Sequence, residues 1–248
     1  MTWLRLVRAE IRKLTTTKLP WGFLAVLVVI AGIDAAVVVF GTDMDGSKGF
    51  IATAADQQSL MAFAFNAMLG TAFFGAIAVA REYGHNTVVP TFLISPRRAR
   101  ATLAQLTAVL LGGALLGLIG QSLIIAGVAL ALPTTAFGFL VPAGDVARLL
   151  VASTFAGAVG ALLGAGLGAA IRNLGGAVTA AVLMLFMIPP LVVQLVSDAG
   201  SWIPPALGTA ISGVTNDVNI WAAAVVLLAW GLVPAAVGLF AVQRRDVV

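Results

Sequence analysis

Long unbroken apolar runs alternate with short polar breaks along this chain. Six of the runs reach bilayer length: 19–41, 59–80, 102–132, 146–171, 174–197 and 219–242. About 20 consecutive apolar residues, coiled as a helix, cross a hydrocarbon core of roughly 30 Å. Each run therefore predicts a transmembrane helix. The runs are continuous rather than alternating, which excludes a β-barrel. The first, Leu19 to Phe40, is longer than the core of a secretory signal (about 7–15 residues) and ends in no clear small-residue cleavage site, so an uncleaved span is expected. The third is long for one crossing and is expected to tilt or to extend beyond the lipid. Only Arg172-Asn173 separates the fourth from the fifth, which predicts a tight turn.

The polar breaks carry three further patterns. In residues 1–18, a helical wheel places Trp3, Leu4, Val7, Ile11 and Leu14 on one face and Arg5, Arg8 and Arg12 on another. That is the pattern of an amphipathic helix lying in the membrane interface; a plain basic anchor for the first span is the simpler alternative. Between the second and third runs, residues 82–100 hold Glu82, Tyr83, Gly84, His85, Asn86 and Thr87, then Arg97, Arg98 and Arg100. Tyr83 and His85 are the only tyrosine and histidine, and Glu82 is one of two glutamates. Pro90 and Pro96 limit any helix between them and could bound a short helical element at the membrane surface. Near the end of the fifth run, Pro189-Pro190 removes two backbone donors and predicts a break or kink. Residues 198–217, with Trp202, Pro204 and Pro205, are too short and proline-broken to span. They fit a re-entrant or surface-lying hairpin, or an ordinary outer loop anchored by Trp202.

Composition and charge sharpen this picture. The chain has 248 residues, 60% hydrophobic and 10% charged, with mean hydropathy +1.06. Soluble domains carry about 25% charged residues, so there is too little charge here to cover a water-facing surface. Six spans with both ends inside put Arg5, Arg8, Arg12, Lys13, Lys18, Arg81, Arg97, Arg98, Arg100, Arg172, Arg244 and Arg245 on the cytoplasmic side. Lys48 and Arg148 alone fall outside, among Asp43, Asp45, Asp56, Asp145, Asp198 and Asp217. This asymmetry is the positive-inside pattern. The basic residues lie at the ends of apolar runs, not on one polar face, so nucleic-acid binding is not expected.

Within the runs, Asp34 is the costly group: it either pairs with Arg148 near the outer start of span four or faces a translocation path. Arg148 could instead pair with Asp145. Asn66, Gln105, Gln121 and Gln194 are expected to hydrogen-bond between helices, with Asn66 and Gln194 also candidates for a path. Gly160, Gly164 and Gly168, and Gly113 and Gly117, recur at four-residue spacing and predict close helix packing, within one bundle or at a sliding subunit seam. No glycine-rich phosphate loop precedes any lysine, one histidine cannot make a two-histidine zinc site, and cysteine is absent. Neither catalysis nor direct ATP or metal binding is expected of the chain.

Four segments carry a resemblance: Leu4-Arg5 to Lys13-Leu14 with Thr15-Thr16-Thr17-Lys18; Glu82-Tyr83 to Thr87 with Thr91-Phe92-Leu93 and Pro96-Arg97-Arg98; the proline-broken segment between spans five and six; and Gln243-Arg244-Arg245-Asp246. On these the chain resembles the permease subunits of ABC-2 type transporters, in particular compact six-span bacterial permeases. The resemblance implies an all-α fold in the bacterial cytoplasmic membrane, with both termini inside. It implies two permeases, identical or related, on two ATPase subunits that bind the ATP and magnesium, and a coupling helix after span two seated in the ATPase. It makes Glu82, Tyr83, Gly84, His85, Asn86, Thr87, Arg97 and Arg98 the coupling residues, and Pro189, Pro190, Trp202, Pro204 and Pro205 an outer gate. Spans one, two and five would line the substrate path. A lining of Phe23, Phe63, Phe65, Met68 and Phe74 would suit a lipophilic or amphiphilic cargo. A secondary carrier or channel, and a membrane immunity or anchor protein, are the competing readings.

Overall fold

The computed structural model describes residues 3–44, 46–84 and 98–244. Helix α1 (Trp3–Thr16) is followed by α2 (Leu19–Phe40), a short α3 (Ala54–Leu60), α4 (Ala64–Gly84), α5 (Arg98–Ala131), α6 (Ala143–Ile171), α7 (Leu174–Val182), α8 (Ile188–Leu195), α9 (Pro204–Ser212) and α10 (Ile220–Arg244). The described residues contain no strand. Six segments are long and apolar enough to cross a membrane: Leu19–Phe40, Ala54–Gly84, Arg98–Thr134, Ala143–Ile171, Leu174–Leu195 and Ile220–Arg244. The chain is therefore a multi-pass, all-helical membrane protein. Helix α5, with 34 residues, is about 51 Å long at 1.5 Å per residue, well over one hydrocarbon core.

Helix α6 is the centre, packed against α4, α5 and α10. Its glycines make this possible. A methyl group on Gly160 or Gly164 would overlap the carbonyls of Met68 or Ala72 on α4. One on Gly113 or Gly117 of α5 would overlap α6 at Ala161 or Ser153. The glycine stripes are thus seams inside one bundle. Lipid tails give helices no hydrophobic drive to associate, so backbone-close packing supplies the attraction instead. Helix α2 is the opposite case and buries only Ala31 and Val38.

The second span is broken. Met61, Ala62 and Phe63 leave the helical course between α3 and α4. The cause is tertiary, since no proline lies there. Buried Gln121 of α5 donates from Nε2 to the Met61 carbonyl at 2.9 Å and accepts from the Ser153 hydroxyl of α6 at 2.6 Å. Three spans are thereby joined through one amide. Gln121→Leu should lower the stability of the detergent-solubilised protein by about 1–2 kcal/mol, because it strands the carbonyl and the hydroxyl together. Ser153→Ala should cost less, since the bond to Met61 survives; thermal unfolding of the two variants checks the order.

The turn between spans four and five is as short as expected. Arg172 takes a left-handed φ of 58° and Asn173 caps α7, its side chain accepting from the Gly176 amide at 2.9 Å. The proline pair does not break span five. A π-helical stretch, Leu183–Met187, widens the backbone just before Pro189 and Pro190, which take up the first turn of α8. A proline ring clashes with the carbonyl four residues back, and a widened turn relieves that clash. The segment after span five forms a 3-10 turn (Ser197–Trp202) and then α9, whose Pro204, Leu207, Gly208, Ala210, Ile211 and Ser212 are buried against α4, α6 and α10. Nine residues, about 13 Å, cannot cross the core.

Both cations of the acid-rich end close helix carboxyl termini. Lys48 donates to the Val38 carbonyl at the end of α2 at 2.8 Å. The Arg148 guanidinium donates to Ile211 and Ala210 at the end of α9, at 3.3 and 3.2 Å. Each positive group thus meets the negative end of a helix dipole. This replaces the expected Asp34–Arg148 pair: among the described residues no ion pair joins them, and none joins Arg148 to Asp145.

Candidate functional site at the basic end and the groove beside it

Both described ends of the expected coupling segment are helical. Glu82, Tyr83 and Gly84 form the last turn of α4, and Arg98 and Arg100 lie in the first turn of α5. His85, Asn86, Thr87 and Arg97, and the coupling helix expected between Pro90 and Pro96, lie outside the described residues.

The two glutamates of the chain meet on a single lysine. Lys13 Nζ lies 2.8 Å from Glu10 Oε1 within α1 and 3.4 Å from Glu82 Oε1 at the end of α4. Both acids are largely buried, with side chains 10% and 15% exposed, and Lys13 is 40% exposed. Arg81 and Gln105 are the other polar residues lining the small cavity around them. Burial alone would lower the Lys13 pKa; the hydrogen bond to Glu10 and the charges of Glu82 and Glu10 outweigh it and hold the ammonium above its ordinary value. Beside this cluster the Arg172 guanidinium sits 5.3 Å from the centre of the Tyr83 ring and donates to the Ala241 carbonyl of α10 at 3.4 Å. The ends of α1, α4, α6 and α10 are therefore tied around residues 82 and 83.

Helix α1 orients itself to make this cluster. Leu6 and Val7 pack with Ala104 of α5, and Glu10 is buried beside them. Trp3, Leu4 and Ile11 stay exposed. The apolar face expected from the wheel is thus divided between the bundle and the surroundings. Glu10 was not singled out by sequence reasoning. Its signal was an acid on an otherwise basic helix, three residues from a lysine, the spacing of a helical ion pair.

A large apolar cavity of about 640 Å³ lies among α2, α4 and α5. Its walls come from α2 (Phe23, Val26, Leu27, Ile30), α4 (Asn66, Gly70, Phe73, Ile77), α5 (Leu116, Gly117) and Val178 of α7. Cavities of this size accept small organic molecules. Of the expected path residues, Asn66 lines it, whereas Gln194 is exposed on α8 and Asp34 is half-buried farther along α2. Of the expected apolar lining, Phe23 and Phe63 belong to it. Met68 and Phe74 are instead core residues, at most 1% exposed, and Phe65 pairs edge-on with Phe186. Phe74 backs the wall through an edge-on contact with Phe23, ring centres 5.6 Å apart. Among the expected gate residues, Pro189 and Pro204 are buried, Pro190 and Trp202 exposed, and Pro205 half-buried.

No protein-family model matches this chain, and no curated protein does.

Proposed function

We propose that this chain is the permease of an ATP-driven exporter of ABC-2 type, moving a lipophilic or amphiphilic compound outward across a bacterial cytoplasmic membrane. The observation that carries the reading is the Glu10–Lys13–Glu82 cluster. It fastens α1 to the last turn of α4 where residues 85–97 begin, and α4 also forms one wall of the apolar cavity. A push delivered at residues 85–97 would move α1 and α4 together and change the shape of that cavity.

In this reading the basic end faces the cytoplasm, and two ATPase subunits engage residues 82–98, with His85, Asn86, Thr87, Arg97 and Arg98 at the contact. ATP and magnesium reside on those subunits. A second permease, identical or related, completes the path. The segment 198–217 is the re-entrant hairpin, with α9 as its inserted arm, and Trp202, Pro204 and Pro205 hinge it as an outer gate beside the π-widened turn ahead of Pro189 and Pro190. Surrounding lipid is the remaining partner.

Reconstitution tests the reading. Proteoliposomes holding the chain together with its ABC-type ATPase partner should show ATP-dependent transport of an amphiphilic dye, and neither protein alone should. Flux driven by an ion gradient through the lone chain would replace this reading with a secondary carrier. Full protection of cells by the chain with a catalytically dead ATPase would replace it with an immunity protein.

A further inference from the structure

The apolar cavity does not end at its own walls. Phe23 and Val26 also line a second, more open cavity of about 440 Å³, bounded by Lys18, Leu19, Gly22 and Arg81. The two form one groove between α2 and α4. Its walls are apolar apart from Asn66 and Thr71, and its mouth at the basic end carries two cations. The Lys18 ammonium has no partner among the described residues. From Asn66 to Arg81 the α4 wall rises about 22 Å, more than the roughly 15 Å of one leaflet's hydrocarbon.

We infer that this groove binds an acidic phospholipid from the leaflet at the basic end. One acyl chain runs along Phe23, Val26, Ile30 and Ile77, and the phosphate sits between Lys18 and Arg81. Three features select this occupant. The groove runs about 22 Å along α4, a length that suits an extended chain. Its charged groups are gathered at the mouth, where a headgroup lies. Both mouth cations favour an anion, and Arg5, Arg8 and Arg12 line the neighbouring helix α1. A second copy of the chain fits less well. A twofold contact centred on this groove would bring Lys18 and Arg81 of each copy toward those of the other. The site stands whether or not the chain is a permease. Only the naming of that leaflet as cytoplasmic rests on the reading above.

The test uses the full-length protein in neutral detergent, with phosphatidylglycerol or phosphatidylcholine carrying a photoreactive diazirine in one acyl chain, followed by peptide mapping. Phosphatidylglycerol should label α2 and α4 at the groove residues. At low lipid concentration it should exceed phosphatidylcholine by about thirtyfold, the factor expected for two basic groups at a headgroup. Lys18→Gln should remove part of that preference, and Lys18→Gln with Arg81→Gln should remove most of it. Gly70 lines the cavity and has open space where a side chain would begin, so Gly70→Leu should fold normally and block labelling by either lipid. Equal labelling by the two lipids, or labelling indifferent to Gly70→Leu, would overturn the inference. So would an unlabelled groove in a protein whose Val26→Cys variant forms a disulfide between two copies, since the second copy would then be the occupant.

Discussion

Lys13→Glu should strongly impair ATP-dependent transport, and adding Glu82→Lys should restore it. The first substitution places three carboxylates where Glu10 and Glu82 now share one ammonium. Breaking a fully buried pair costs about 3–5 kcal/mol. Lys13 is 40% exposed, so solvent screening brings the expected penalty to about 1–3 kcal/mol. That is enough to detach α1 from α4 without unfolding a bundle whose centre lies elsewhere. Transport should fall at least about tenfold, while gel filtration still shows a folded protein. The double exchange restores one cation between two acids: the ammonium now comes from α4 and serves both Glu10 and the carboxylate introduced one turn after it on α1. A purely structural cluster would lose folded yield in step with transport, which separates the two roles. The pH dependence follows from the raised Lys13 pKa. Its contribution is fully present below the unfolded value near 10.5 and is lost only as pH rises through the higher folded value. Lys13 should therefore impose no pH dependence on transport across the physiological range.

The second large effect concerns α6. Gly164→Leu should give almost no folded protein, whereas Gly70→Leu, an identical change on the neighbouring helix, should give normal yield. At Gly164 even a methyl group overlaps the Ala72 carbonyl, a backbone atom in the middle of α4 that cannot step aside. At Gly70 the same methyl meets nothing within 4 Å. Overpacking a core costs about 1–3 kcal/mol when side chains can yield, and more where backbone must move. The α4–α6 seam is part of the main core, with Met68, Ala72 and Leu163 at 0% exposure, so the bundle should fail as a whole. Monodisperse yield after detergent extraction reads the difference directly.

Much of the fold could be read from the residues because lipid imposes simple rules. Apolar length alone marks the crossings. The Arg172-Asn173 break leaves no room for anything but a turn. Glycine at four-residue spacing has few uses in a membrane besides close packing. The features that escaped depend on which way a helix faces. The order of spans suggests a pairing of Asp34 with Arg148, but Arg148 turns into the carboxyl end of α9, a short helix whose burial no periodicity announced. The break at 61–63 answers to Gln121, sixty positions away, and has no local signal. Pro189-Pro190 predicts a break or kink, but a π-helical turn absorbs the pair and span five continues through it. Glu10 stayed hidden because the wheel was sorted by hydrophobicity, and a buried acid counts as polar until its partner is known.

The sequence has no cysteine, so one introduced thiol reports its own surroundings without ambiguity. Gly84 ends α4 where residues 85–97 begin, is exposed, and has open space for a side chain. Gly84→Cys should resist a membrane-impermeant maleimide added to intact cells, react rapidly in inverted vesicles, and be protected there by the ATPase subunit. Labelling from outside intact cells, or labelling in inverted vesicles that the ATPase leaves unchanged, would contradict the claim that force enters this protein where α4 meets residues 85–97.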